Sequence, residues 1–319
     1  MENREKWYRR NSQILFISIG LLLECIIFSL ATDNFLSSKN IINVLLQNSV
    51  AVIVAIAQTY VIASGMIDLS VGSTAAMAGM AVALLIRGGM PYGIAMLLAV
   101  LMGVACGVLN SFVVTILGIV PFIATLGTNY LLRGIILLVM NGIPISGLDP
   151  DFGWIGNGRI GDVLPYPVIW MSVVVVVMAV ILRKMRLGRD IFAIGSNEQA
   201  AFLSGVDVKK TKWLVYLASG TLCGIAGVIL TSRLSSAAPT ACEGYDTTAI
   251  AATVIGGASL RGGKGSIAGT IIGAFIIGVL TNGLNLLALN YYWQQVAVGI
   301  VIILAVFLDV LRTKIEKGQ

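Results

Sequence analysis

Nine stretches of about twenty predominantly apolar residues succeed one another along the chain, at about 12–31, 45–67, 70–88, 91–117, 119–140, 163–182, 213–232, 265–288 and 292–311. Each has the length an α-helix needs to cross the hydrocarbon core of a bilayer, about 20 residues. In hydrocarbon no water satisfies the backbone, so such segments must bond their own N–H and C=O groups and form helices. A tenth stretch, 246–258 (DTTAIAATVIGGA), is apolar but short and ends in glycines. The expected fold is all-α and polytopic, a single transmembrane domain over 1–319 with some short or broken helices. Composition agrees: 11% of residues are charged, against about 25% in soluble domains.

Charge places the loops. Lysine and arginine concentrate on the cytoplasmic side of membrane proteins. Arg4, Lys6, Arg9 and Arg10 put the N-terminus inside, and Arg312, Lys314 and Lys317 do the same for the C-terminus. Arg183, Lys184, Arg186, Arg189, Lys209, Lys210 and Lys212 want the segment 183–212 inside, as do Arg261 and Lys264 for the glycine turn near them. All four conditions hold only if 246–258 also crosses, which predicts ten spans. Lys39, Arg87, Arg159 and Arg233 then lie outside, as does a Gly/Pro/Asp-rich loop at about 141–162. The basic residues sit at span ends without interleaved aromatics, so nucleic acid is not an expected partner. The first span has no small-residue cleavage site after it and is expected to be a retained helix.

The segment 183–212 is polar for about thirty residues and carries a short helix with both ends marked. Ser196 or Asn197 can serve as N-cap, Glu198 suits the positive end of the first turn, and Gly205 can end the helix in a left-handed conformation. A helix over about Glu198–Ser204 is too short to be stable alone. Held between two spans, it is expected to dock another protein, with Phe202 and Leu203 as its largest apolar side chains.

Other patterns narrow the chemistry. There is no histidine, which excludes histidine-based metal sites and general bases. The cysteines, Cys25, Cys106, Cys223 and Cys242, are scattered and read as packing residues. Gly263-Lys-Gly265-Ser-Ile-Ala268 matches a dinucleotide fingerprint, but it opens a membrane helix and follows no βαβ strand. No segment matches a phosphate-binding Walker loop. Tyr245-Asp246 could serve an aspartyl intramembrane protease, but the partner carboxylate near Gly161-Asp162 lies in a polar loop. No enzyme activity is expected in this chain, and no cofactor or metal.

Small-xxx-small spacing recurs at Gly103/Gly107, at Gly220/Gly224 and along Gly265/Gly269/Gly273, where it permits helices to touch, within one subunit or between two. Helix breaks are expected at SGMIDLSVGS, with Gly65, Asp68 and Ser70, and at GGASLRGGKGS, with Gly256, Gly257, Gly262 and Gly263. Asp68 can cap the helix that starts near Ser70. Glu24 sits in the middle of a span and must be neutral, paired or turned inward, while Arg133 and Asp309 can reach an interface. Uncharged polar groups within spans, Thr125, Thr128 and Asn129 in one and Asn282 and Asn285 in another, could either line a pathway for a neutral solute or bond helix to helix.

The motifs SGMIDLSVGS (64–73), PFIATLGTNYLLRG (121–134), RLGRDIFAIGSNEQAAFLSGVDV (186–208), RLSSAAPTACEGYDTTAIAATVIGGASLRGGKGS (233–266) and TNGLNLL (281–287) resemble those of the permease subunit of ribose-type ABC sugar importers, over nearly the whole chain. Where that family usually carries Glu and Asp, this chain has Asp246 and Thr248. The resemblance implies a ten-helix permease in a bacterial cytoplasmic membrane. It implies a second permease copy, two ATP-binding subunits or one duplicated one holding ATP and Mg2+, and an extracytoplasmic sugar-binding protein. It also implies that Ser196, Asn197, Glu198, Ala200, Ala201, Phe202, Leu203, Ser204 and Gly205 form the coupling helix that meets the ATPase. Importers of a nucleoside, a polyol or a signalling furanose share this architecture, and a proton-coupled carrier is the alternative that needs no ATPase.

Overall fold

Residues 48–63 are buried almost without interruption, and they form the inner part of one helix around which the others pack. An apolar helix without a polar face belongs in the middle of a bundle. The structure is a computed structural model. It describes residues 2–161 and 163–316, with side chains over 14–161, 163–304 and 306–307. Arg4, Lys6, Arg9, Arg10, Asp162, Asp309, Arg312, Lys314 and Lys317 therefore lie outside the described side chains.

The helices are α1 (Glu2–Ala31), α2 (Ser38–Ala63), α3 (Val71–Arg87), α4 (Tyr92–Thr115), α5 (Pro121–Met140), α6 (Trp154–Asn157), α7 (Tyr166–Lys184), α8 (Arg186–Ser196), α9 (Glu198–Leu203), α10 (Val208–Leu234), α11 (Tyr245–Ile255), α12 (Ile267–Leu286) and α13 (Tyr291–Glu316). Among the described residues, seven helices are long and apolar enough to cross a membrane: α1, α2, α4, α5, α7, α10 and α12. Helix α3 and the first part of α13 are shorter apolar helices, and α11 has only 11 residues. Helix α2 starts earlier than its apolar run because Ser37 accepts a hydrogen bond from the Asn40 amide and caps it. It stops at Ala63, so residues 64–70 are not helical.

Helices α2 and α10 form the centre, contacted by α3, α4, α7, α11 and α12, while α1 packs on α12 and α13 on α11 and α12. Outward faces are apolar, as at Leu22, Leu30, Val176 and Ile303, which suits hydrocarbon. The glycine pairs pack within the chain. A side chain at Gly103 would overlap the Gly220 carbonyl, and one at Gly107 the Tyr216 carbonyl, so α4 and α10 lie backbone against backbone. Gly269 and Gly273 of α12 meet Gly256 and the Ala252 carbonyl of α11 in the same way, and Gly227 of α10 meets Ala75 of α3. Lipid tails are as apolar as leucine, so this close contact supplies the attraction that water would supply elsewhere.

The loop 141–161 holds short elements. Strand β1 (Ile145–Ser146) pairs antiparallel with β4 (Ser236–Ala237), and β2 (Arg159–Ile160) with β3 (Leu164–Pro165). Helix α6 seats on the end of α10, where Ser232 Oγ donates to the Phe152 carbonyl at 2.7 Å and accepts from the Gly156 amide at 2.9 Å. The Tyr92 hydroxyl and the Asp151 amide hold the nearby Asp149 carboxyl below its usual range.

Candidate coupling face and translocation core

The polar segment folds as two helices. The sequence reading identified α9 but not the preceding helix α8, although the apolar residues of α8 fall at helical spacing. Its buried positions Gly188, Ile191 and Ile194 share one face, and Arg186 pairs with Asp190 at 3.6 Å on another. Ser196 ends α8, and Asn197 is the N-cap of α9, its Oδ1 accepting from the Ala200 amide at 3.0 Å. At the other end the Gly205 amide bonds the Phe202 carbonyl and the Val206 amide bonds the Ala201 carbonyl, with Gly205 at φ 82°. This pair of bonds is a Schellman motif, which requires a left-handed residue at the Gly205 position. Lys212 donates to Glu198 at 2.8 Å and ties α9 to the start of α10. Ala201 is buried, whereas Phe202 and Leu203 are 68% and 83% exposed. The Ser204 hydroxyl bonds the Ala200 carbonyl. The result is a short helix, seated on α8 and α10, that presents two large apolar side chains to the exterior.

Directly behind it, three chain segments meet on glycine. Gly195, in the last turn of α8, has no room for a Cβ, because the Ala63 carbonyl and the Gly263 amide occupy that space. The Gly263 amide donates to the Ala63 carbonyl at 2.9 Å, and Gly262 packs on Gly195 and Gly65. Gly65, Gly257, Gly262 and Gly263 all have positive φ. Gly265 packs against the Ala63 side chain, so the GxGxxA stretch is a packing element, and the element that leads into it is helix α11, not a strand.

The break after α2 runs from this junction into the bundle. Asp68 is buried and fully partnered: its Oδ1 accepts from the Ser70 amide at 2.8 Å and the Ser70 hydroxyl at 2.6 Å, and its Oδ2 from the Ser219 hydroxyl at 3.1 Å. Asn110 donates to Ser70 Oγ at 2.7 Å. Ser70 is the N-cap of α3 by position but makes no side-chain cap bond; Asp68 bonds its amide instead. A buried carboxylate is tolerated only with such donors. Ser219 lies eleven residues into α10, about 16 Å along it, so Asp68 sits at mid-bundle depth. A second break enters from the opposite end. Residues 238–244 follow β4 inward until the Cys242 carbonyl abuts Gly72 at the start of α3. Arg133 Nη1 donates to the Pro239 and Ala241 carbonyls at 2.6 and 3.0 Å. Arg133 was expected to reach an interface; it instead satisfies carbonyls that the broken helix leaves free, the role polar side chains take beside irregular backbone in membranes.

The five polar span residues are dispersed. Thr125 Oγ1 accepts from the Leu69 amide at 3.1 Å and bonds α5 to the Asp68 break, and Thr128 bonds its own helix at the Ala124 carbonyl. Asn282 and Asn40 exchange two hydrogen bonds, at 2.9 and 3.0 Å, between α12 and α2. Asn285 accepts from Gln294 of α13 at 2.7 Å. Asn129 is half-buried on α5. Asn40 is 242 positions from its partner, and nothing in its local sequence signals the pair. Glu24 is half-buried beside Cys25, and its Oε2 has no hydrogen-bond partner among the described residues. Tyr245 and Asp246 open α11.

A bundle of apolar helices with breaks at its centre and one short helix exposing large apolar side chains at one end defines a membrane transport component. Residues 40–306 match the family described as branched-chain amino acid transport system / permease component, and the chain belongs to that permease family. It is 44% identical over 294 residues to the ribose import permease of Bacillus subtilis, covering 91% of each chain. It is 41% identical to the D-allose transport system permease of Escherichia coli, covering 92% of this chain and 90% of that one. It is 31% identical to the xylose transport system permease of Haemophilus influenzae, covering 95% and 98%. No solved structure matches the chain.

Proposed function

We propose that this chain is the membrane-spanning subunit of an ATP-driven, binding-protein-dependent importer of a monosaccharide of the ribose class. The observation that carries the reading is near full-length similarity to permeases for three sugars, at 44% identity for ribose. The chain acts as one transmembrane domain, pairs with a second permease copy, and works with two ATP-binding subunits or one duplicated one. ATP and Mg2+ sit on those subunits, and an extracytoplasmic binding protein delivers the sugar. Closure of the ATPase pair pushes on α9. The rigid α8–α9 unit passes that displacement through Gly195 to Ala63 and Gly263, at the roots of both inner glycine turns. Those breaks absorb the movement, and the helices rock about them to open the pathway outward. Of the five polar span residues, Thr128 and Asn129 of α5 are the ones we keep on the pathway, because Thr125, Asn282 and Asn285 bridge between elements. Reconstituted with its ATPase and binding protein, the chain is expected to drive ATP-dependent ribose uptake into vesicles. Uptake that persists without the ATPase would favour a proton-coupled carrier.

The same reading places α1, α2, α3, α4, α5, α7, α10, α11, α12 and α13 across the membrane, with both termini in the cytoplasm. Helix α11 and the inward segment before it complete one crossing together. Cysteine placed at the exposed Asp151 position is expected to react with an impermeant reagent from outside, and at Gln199 or Arg261 only after the inner face is opened. External labelling at Arg261 rules out ten crossings.

A further inference from the structure

Between α2, α11, α12 and α13, at the end of the bundle away from α9, lies a cavity of about 480 Å³, within the roughly 300–1,000 Å³ typical of small-ligand sites. We infer that this cavity is a monosaccharide subsite contained within one permease chain. The inference rests on the import reading above and adds to it where the sugar is held.

The lining is polar at depths where the helices are otherwise apolar. Asn48 lies ten residues into α2, about 15 Å from its start, and is 4% exposed, yet it lines the cavity together with Thr281 of α12 and Gln294 of α13. Polar side chains facing hydrocarbon are costly and turn toward a polar interior. The amide nitrogens of Asn48 and Gln294 are bonded within the protein, to the Val44 carbonyl and to Asn285 and the Leu289 carbonyl, so the two amides offer their oxygens as acceptors and Thr281 its hydroxyl to the hydroxyls of a sugar. Tyr245 and Tyr291 add aromatic surface for the apolar face of a sugar ring. Arg233 and Glu243 also line it, with opposite charges, so the site offers no net charge and suits a neutral ligand. Arg233 is held by the Leu46 carbonyl at 3.2 Å. None of Thr125, Thr128 or Asn129 lines this cavity.

Gly299 of α13 also lines the cavity, and a Cβ added there meets nothing within 4 Å. A large side chain at that position fills the space without displacing a helix. Thr281 bonds only its own helix, at the Ile277 and Gly278 carbonyls, so valine keeps its shape and removes the hydroxyl. The test uses the complete complex with ATPase and binding protein in vesicles, and radiolabelled D-ribose as probe. Gly299→Phe is expected to lower uptake about tenfold or more by excluding the ligand. Thr281→Val is expected to lower it about three- to tenfold, the scale of one lost hydrogen bond. Assembly is checked by size exclusion, and if Gly299→Phe does not assemble, Thr281→Val decides. Wild-type uptake in assembled Gly299→Phe and Thr281→Val complexes overturns the inference while leaving the import reading intact. A wild-type complex that takes up none of ribose, allose or xylose overturns the import reading itself, and the subsite with it.

Discussion

A Phe202→Asp, Gly205→Val double variant is expected to insert and fold normally yet lose ATP-driven uptake. Phe202 is 68% exposed on α9, so its replacement costs the permease little. At the contact with an ATPase proposed for α9, it is the larger of the two apolar anchors. Removing a central aromatic from an interface costs about 2 kcal/mol or more, a factor of about 30 in affinity, and aspartate adds the desolvation of a charge. Gly205 acts on direction rather than on area. Its φ of 82° lets the chain leave α9 through the Schellman bonds toward the Asp207 cap of α10. A left-handed backbone costs L-residues about 1–2 kcal/mol and a β-branched side chain more. The exit then shifts, and with it the angle at which α9 meets its partner. Uptake by the double variant at the wild-type rate would remove α9 from the coupling role. Normal insertion with loss of co-purifying ATPase is the pattern that supports it.

Gly220→Val is expected to lower stability sharply, and it should act before transport is measured. The Gly220 Cβ position coincides with the Gly103 carbonyl across the α4–α10 contact, and Gly107 and Gly224 leave no route for adjustment. Excess methylenes in a close-packed core cost about 1–3 kcal/mol even where side chains can yield; here the obstacle is main chain. The two helices must separate, and Ser219 then loses its hold on Asp68. The yield of monodisperse protein should fall about tenfold or more, since each 1.4 kcal/mol is a factor of ten. Gly93→Ala is the control: that glycine is also in α4, and a Cβ there meets nothing within 4 Å. Equal yields for Gly220→Val and wild type would mean that α4 and α10 do not touch as described.

Element by element, legibility followed the range of the signal. Helix α9 was read with both its ends because a cap, a first-turn acid and a terminal glycine act within a turn of one another. Helix α8 carries Leu187, Ile191 and Ile194 at helical spacing, but that they pack beside α2, α7 and α10 only the structure showed. The glycine spacings showed that close contacts existed, and the structure showed that they lie inside one chain. Asn282 was visible as a polar residue in an apolar span, but its reading as bridge or pathway required Asn40, which lies at the far end of the sequence.

What the sequence determined by itself was everything set by the solvent. Apolar length dictates crossing helices, because it is a property of a segment in a bilayer rather than of its neighbours. The tertiary structure alone decided where the breaks at 64–70 and 238–244 lead, that the second reaches the start of α3 where the Cys242 carbonyl abuts Gly72, and that Gly195 of α8 meets Ala63, Gly65, Gly262 and Gly263 at the other end. Those are contacts between backbones far apart in the chain. A glycine permits such contact but carries no side chain to name its partner.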